Sequence, residues 1–169
     1  MDLIALENKE LSLVPLKADD YQRLFSVASS KEIWEQHPNQ NRYLSTEFRL
    51  YFDQLLNCDI AYLVTDRRSN SIIGATAFYN LDREKKQVAI GYTFLTTKYW
   101  GTGINTSLKS LMINYAFQFV DHIIFYVGAH NIRSQKAVQK LGARKTGELL
   151  KQTKPHRHNY EYTLSKDSI

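Results

Sequence analysis

The chain has one cysteine, Cys58, in 169 residues, so it can form no internal disulfide and cannot supply a multi-cysteine zinc site. A reducing, cytoplasmic setting is the expectation. No apolar run reaches the roughly 20 residues that a membrane-crossing helix needs. Met1 to Leu16 mixes Asp2, Glu7, Lys9 and Glu10 into its apolar residues, unlike the basic start and unbroken apolar stretch of a signal peptide. A Gly/Ser linker, an internal repeat and a low-complexity tract are all missing, which predicts a single domain over residues 1–169. With 43% hydrophobic and 23% charged residues the composition is that of a folded chain. At this length roughly two-thirds of the unfolded chain's surface is buried on folding, so neither a disulfide nor a metal is needed for stability.

Lysine and arginine number 22 against 17 acidic residues, a formal net charge of +5. Such an excess favours an anionic ligand. The basic residues are scattered, with only short groups at Arg67-Arg68, Lys85-Lys86 and Lys151 to Arg157, which gives no reason to expect DNA as a partner and leaves docking on RNA or a ribosome as a weaker alternative.

Periodicity predicts a strand over Glu10 to Leu16 with Pro15 marking its end or an edge, then a helix over Ala18 to Ser29. Residues 31–45 read as a short helix and a loop broken by Pro38, and Thr46 to Asn57 as a second helix. Three antiparallel strands follow at Ile60 to Thr65, Ile72 to Tyr79 and Gln87 to Leu95. The most regular helix is Asn105 to Phe119. After it come a strand (His122 to Val127), a helix (Ile132 to Leu141) with Asn131 as N-cap and Gly142 as its stop, and strands over Arg144 to Leu150 and Asn159 to Leu164. This order predicts an α+β domain with one mixed sheet of about seven strands and helices on both faces.

Two strand-to-helix junctions carry the chemistry. Thr96 to Asn105 contains Gly101 and Gly103 just before the longest helix. Glycines there let the backbone approach an anion, and the first N–H groups of the helix, with its dipole, point at that anion. Gly101-x-Gly103-x-x-Thr106 departs from a dinucleotide fingerprint at its third glycine and follows an antiparallel meander, and no Gly-Lys-[Ser/Thr] completes a nucleoside-triphosphate loop. The second junction is Asn131 to Ala143, where the Asn131 amide can cap the helix or reach a ligand amide and Ser134 lies on the first turn. Side by side at one end of a sheet, two such junctions form a ligand site.

With those segments in view the sequence resembles the GNAT superfamily of acetyl-coenzyme A-dependent N-acetyltransferases, and within it the ribosomal-protein N-terminal acetyltransferase branch. Ala89 to Leu95 looks like the family's fourth strand, Trp100 to Asn105 its phosphate loop and Asn131 to Ala143 its last motif helix. The segment Ile33 to Pro38, followed by Arg42-Tyr43, is similar to acceptor-side sequence in relatives. Three positions depart from the pattern. Trp100 stands where the loop usually has Arg or Gln, Asn105 replaces a small residue, and Val138 replaces the tyrosine that serves many members as general acid.

The resemblance implies acetyl-CoA as co-substrate, held by Phe94, Leu95 and Thr96 along the pantetheine, by Gly101, Thr102, Gly103, Ile104 and Asn105 at the pyrophosphate, and by Asn131 and Ser134. It implies Ser134 as the acid for the departing thiolate, and Trp34, Glu35 and His37 at the acceptor side, with Glu35 and His37 as candidate bases. The acceptor it implies is a primary amine, on a ribosomal protein N-terminus or a small molecule, attacked directly, and a homodimer is possible. The alternative is a non-catalytic acyl-CoA-binding module of the same fold. Cys58, in a helical stretch without a neighbouring motif, reads as packing. His156 and His158 flank Arg157 and resemble a metal pair, but two histidines alone do not make a ligand set and no metal is expected.

Overall fold

A computed structural model describes residues 1–37, 39–151 and 157–168, the side chains of Lys151 and Arg157 excepted. Pro38 and His156, both named above, lie outside the described residues. The strands are β1 (Leu6–Glu7), β2 (Leu11–Pro15), β3 (Ile60–Asp66), β4 (Ser71–Asp82), β5 (Gln87–Leu95), β6 (His122–Gly128), β7 (Arg144–Lys151) and β8 (Arg157–Ser165). The helices are α1 (Tyr21–Ala28), α2 (Ser45–Leu56), α3 (Ile104–Ala116) and α4 (Ile132–Lys140). All eight strands form one mixed sheet in the order β1-β2-β3-β4-β5-β6-β8-β7. The expected mixed sheet with helices on both faces is present, with one strand more than the expected seven. The addition is β1, whose two residues pair with Leu13 and Ser12 of β2 and are too few for a period-2 pattern to register.

Alternation along the strands builds a core on each face. Ile60, Tyr62 and Val64 of β3 join one cluster with Leu108, Met112 and Ala116 of α3. Ala61 and Leu63 join the other, with Leu24 of α1 and Phe48, Phe52 and Leu55 of α2. The helix expected over Ala18 to Ser29 is divided: Ala18–Asp20 is a 3-10 turn in which Asp20 Oδ2 accepts from the Lys17 N–H at 2.9 Å, and α1 follows. A second 3-10 turn, Lys31–Trp34, buries Ile33 and Trp34.

Two irregularities in β5 make the site. Against β4, Ala77 faces Gly91 and Ala75 faces Phe94, so β5 carries one residue more than β4 over that stretch. The extra residue is Tyr92, whose φ of 50° lies in the left-handed region, and the arrangement is a β-bulge. It reverses the alternation of everything that follows: Val88 and Ile90 face the α3 side, yet Phe94 faces the α1–α2 side and Leu95 the α3 side. Against β6, the parallel ladder covers only Gln87↔His122, Val88↔Ile123 and Ala89↔Ile124, although both strands continue. From there they splay, and β6 stays paired with β8 through Gly128↔Asn159.

The close approach of β4 to β5 depends on Gly74, where a Cβ would lie 2.0 Å from the Phe94 carbonyl oxygen. Backbone cannot move aside as a flexible side chain does. Gly74→Ala is therefore expected to cost about 2–3 kcal/mol or more and to displace β5. Urea denaturation checks this, and an unchanged midpoint would show that β4 and β5 tolerate a wider separation.

Candidate active site

The splay between β5 and β6 opens into a cleft of about 1080 Å³, large enough for a coenzyme-sized ligand. One end is the start of α3. Gly101 (φ 74°) and Gly103 (φ 89°) both have left-handed backbones, and a Cβ at either would meet nothing within 4 Å, so glycine is demanded by the sign of φ and not by space. Gly103 is the N-cap and has no side chain to satisfy the first N–H groups of α3. Those donors and the helix dipole face a cradle suited to a diphosphate.

α4 starts differently. Asn131 is buried, and its Oδ1 accepts from the Ser134 N–H at 3.1 Å, which leaves its Nδ2 to donate to a ligand carbonyl. Ser134 also lines the cleft, and its hydroxyl has no protein partner among the described residues. Val138, at the position of the family tyrosine, lines the cleft and packs in the core. The loop and α4 are joined across the cleft by Trp100, whose Nε1 donates to the Leu95 carbonyl at 3.0 Å while the Arg133 guanidinium lies 3.8 Å from its ring centroid. Where the family loop usually bears its own Arg or Gln, this chain has a ring that carries an arginine from the next helix.

Of the residues expected to hold the coenzyme, Phe94, Leu95, Gly101, Gly103, Asn105, Asn131 and Ser134 line the cleft. Thr96, Thr102 and Ile104 do not. Thr102 is exposed and donates to the Tyr99 carbonyl at 2.8 Å, and Ile104 packs against the core; their backbones remain part of the loop. Among the residues expected at the acceptor side, His37 lines the cleft. Trp34 is buried beneath that wall, donating from Nε1 to the Ala28 carbonyl at 2.7 Å, and supports Phe94 and Tyr51 at ring distances of 5.1 and 5.4 Å. Glu35 is exposed and outside the lining.

Residues beyond those expectations complete the acceptor end. Tyr79, Tyr92 and Tyr126 form an aromatic wall, and Tyr51 Oη donates to the Tyr92 carbonyl at the bulge. The Arg42 guanidinium lies 4.6 Å from the Tyr51 ring centroid and 5.5 Å from that of Trp34. Burial, with Arg42 and Arg133 adding their charge, lowers His37 to about 3, so its imidazole is neutral at physiological pH. Burial raises the Cys58 thiol to about 12, which matches a packing role. His158 Nε2 pairs with Glu148 Oε2 at 3.0 Å.

Lys109 is the most unusual group in the cleft. It sits one turn after Asn105 on α3, is 6% exposed, and donates from Nζ to Thr93 Oγ1 at 2.6 Å, with Thr93 in turn 2.8 Å from Thr76 Oγ1. Desolvation lowers it to about 7. A lysine between Leu108 and Met112 on an otherwise apolar helix face was the sequence signal for it, and periodicity alone passes over such a residue.

A model of the acetyltransferase (GNAT) domain matches residues 10–144, and the chain belongs to that family. Acetyl-CoA is the co-substrate of GNAT acetyltransferases, and the cradle, the splay and the Asn131 amide fit it. Among solved structures, the fold is similar to a GCN5-related N-acetyltransferase from Brucella melitensis (TM-score 0.87, 17% identity, 99% of this chain and 81% of that one). It is also similar to ribosomal-protein-S5-alanine acetyltransferase from Vibrio fischeri (TM-score 0.73, 20% identity, 97% of each chain). A third similar structure is spermidine N-acetyltransferase from Vibrio cholerae in complex with CoA and spermine (TM-score 0.73, 14% identity, 95% of this chain and 98% of that one). No curated protein matches the sequence.

Lys109 gives this site a pH signature. Its folded value of about 7 lies below the ordinary 10.5, so between those values the unfolded chain holds a proton that the folded chain lacks, and stability rises with pH across that window. Lys109→Met is expected to flatten that rise and to stabilise the empty protein most at pH 7 and below. Thermal unfolding of both proteins from pH 6 to pH 10 checks it, and parallel curves would mean that Lys109 keeps its proton in the fold.

Proposed function

We propose that the protein transfers the acetyl group of acetyl-CoA to a primary amine by direct attack, with the amine on a protein N-terminus or a small molecule. The observation that carries this reading is the continuity of the β5–β6 splay with the uncapped N-terminus of α3. One surface thus offers diphosphate donors at one end and unpaired strand backbone at the other. Gly101, Gly103 and the first N–H groups of α3 hold the diphosphate, and Asn131 Nδ2 donates to the pantetheine. The bulge at Tyr92 turns β5 so that a backbone N–H of the Thr93–Leu95 stretch meets the thioester carbonyl, where it stabilises the negative charge that develops on oxygen.

The acceptor nitrogen forms a bond to the carbonyl carbon, the carbon–sulfur bond breaks, and the proton lost by the amine balances the one gained by the thiolate. Ser134, which lines the cleft, is the residue we assign to deliver the latter proton, directly or through water. His37 is a poor sink for the former, because a group lowered to about 3 holds little proton near neutrality.

Calorimetric titration with acetyl-CoA, with NAD and adenosine as controls, is expected to give selective binding near −8 kcal/mol, a roughly micromolar dissociation constant. Gly103→Pro, which removes a donor and forbids the positive φ, is expected to abolish it. Absence of binding to the wild type would overturn the coenzyme reading. Ser134→Ala is expected to lower kcat on the order of 10²-fold with acetyl-CoA affinity nearly unchanged. Thiol release measures this, and an unaltered kcat would remove Ser134 as the acid. Tight binding without thiol release for any amine would favour the non-catalytic module.

A further inference from the structure

Acetyl transfer to an outside amine leaves Lys109 without a task, although it lines the same cleft. From α3 its Nζ reaches Thr93 Oγ1 at 2.6 Å, on the stretch of β5 whose backbone is proposed to meet the thioester carbonyl. Thr93 Oγ1 is in turn 2.8 Å from Thr76 Oγ1 and 3.2 Å from the Gly91 carbonyl, and Thr76 Oγ1 lies 3.3 Å from Met112 Sδ. The hydroxyl is thus held in place, and it holds the amine.

That bond is donated by the nitrogen, so it occupies an N–H and leaves the lone pair of an uncharged amine for another partner. Burial alone, with no neighbouring charge contributing, lowers Lys109 to about 7, so near neutrality a large share of the amine is uncharged. A lysine in water is uncharged in roughly one molecule in a few thousand at pH 7. Desolvation of this kind is one of the ways in which a lysine becomes a nucleophile.

The other groups at hand differ in kind. Lys136 and Lys140 also line the cleft but are exposed on α4, and a guanidinium stays protonated. Cys58 lies in a separate hollow of about 370 Å³, with its thiol raised to about 12.

Resting on the acetyl-transfer reading, we infer that Lys109 is an acetyl acceptor in its own right, a self-modification site in the wall of the coenzyme cleft that acetyl-CoA acylates when no amine substrate is bound. The lone pair of Nζ forms a bond to the thioester carbonyl carbon, the carbon–sulfur bond breaks, and the proton lost from nitrogen balances the one gained by the departing thiolate. The products are an N-acetylated lysine and CoA. Acetylation replaces an amine that burial makes costly to charge with a neutral amide, for which the same surroundings are far less unfavourable. The amide N–H can keep the bond to Thr93.

The test incubates the purified wild type at pH 7 with acetyl-CoA isotopically labelled in its acetyl group, without any amine, and follows each lysine by peptide mass spectrometry. Lys109 is expected to acquire the label on the order of 10²- to 10³-fold faster than Lys136 or Lys140, the ratio that the uncharged fractions allow. An excess of unacetylated CoA is expected to suppress labelling at Lys109 while leaving that of the exposed lysines unchanged, and Gly103→Pro is expected to do the same. The competition needs no variant, so it decides the question even where Gly103→Pro fails to fold. Binding of acetyl-CoA without label at Lys109, a rate there no greater than at the exposed lysines, or labelling that excess CoA does not reduce would each overturn the inference while leaving acetyl transfer standing. Failure of the wild type to bind acetyl-CoA in calorimetry would instead remove the reading on which the inference rests.

Discussion

The hydroxyl of Tyr51, donated from α2 to the Tyr92 carbonyl, holds one extra residue in β5, and the site depends on it. Without the bulge, Phe94 would keep the parity of Val88 and Ile90 and face α3. With it, Phe94 packs on Trp34 and Tyr51 while Thr93 turns toward Lys109 and Thr76. The α1–α2 layer thereby acts on the coenzyme strand. A left-handed φ at a tyrosine is costly, and the aromatic packing of Tyr92 against Tyr51 and Tyr79, at 6.3 and 5.1 Å, together with the Tyr51 bond is what sustains it.

Polar groups in the cleft are organised by scarcity of partners. The N-cap of α3 offers no side chain, whereas α4 is capped by Asn131 and keeps only an amide donor in reserve. Of two adjoining helix starts, one leaves its first N–H groups without a side-chain cap and the other is closed by Asn131. Lys109 extends this pattern beneath the strand. Its amine has a hydroxyl for a partner and, among the described residues, no carboxylate, so its charge state responds to what enters the cleft.

The sheet, the four main helices, the glycine loop and the Asn131 cap were legible in the sequence because each rests on local rules: period 2, period 3.6, positive φ and an Asx cap. Gln87 to Leu95 has the expected bounds, but its bulge was hidden, since Tyr92 is not a residue type that signals positive φ. Trp34 illustrates a different loss. Its place beside His37 and Arg42 in the chain suggested a substrate contact, whereas the tertiary fold buries the indole and exposes its neighbours' edges to the cleft. The Arg133–Trp100 contact joins residues from separate motifs, and no single window of sequence contains it.

That contact also gives the Trp100 substitution a physical sense. A guanidinium attached to the loop would be positioned by the loop alone. Here the cation comes from α4, is seated on a ring hydrogen-bonded to Leu95, and therefore joins the strand, the phosphate loop and the second helix at one point. An anion held at the α3 N-terminus would adjoin the loop on which Arg133 is seated, and Ser134 is the next residue of α4. On the proposed role of Ser134 as the acid, the place left by the family tyrosine at Val138 would be filled from the same helix that carries Arg133.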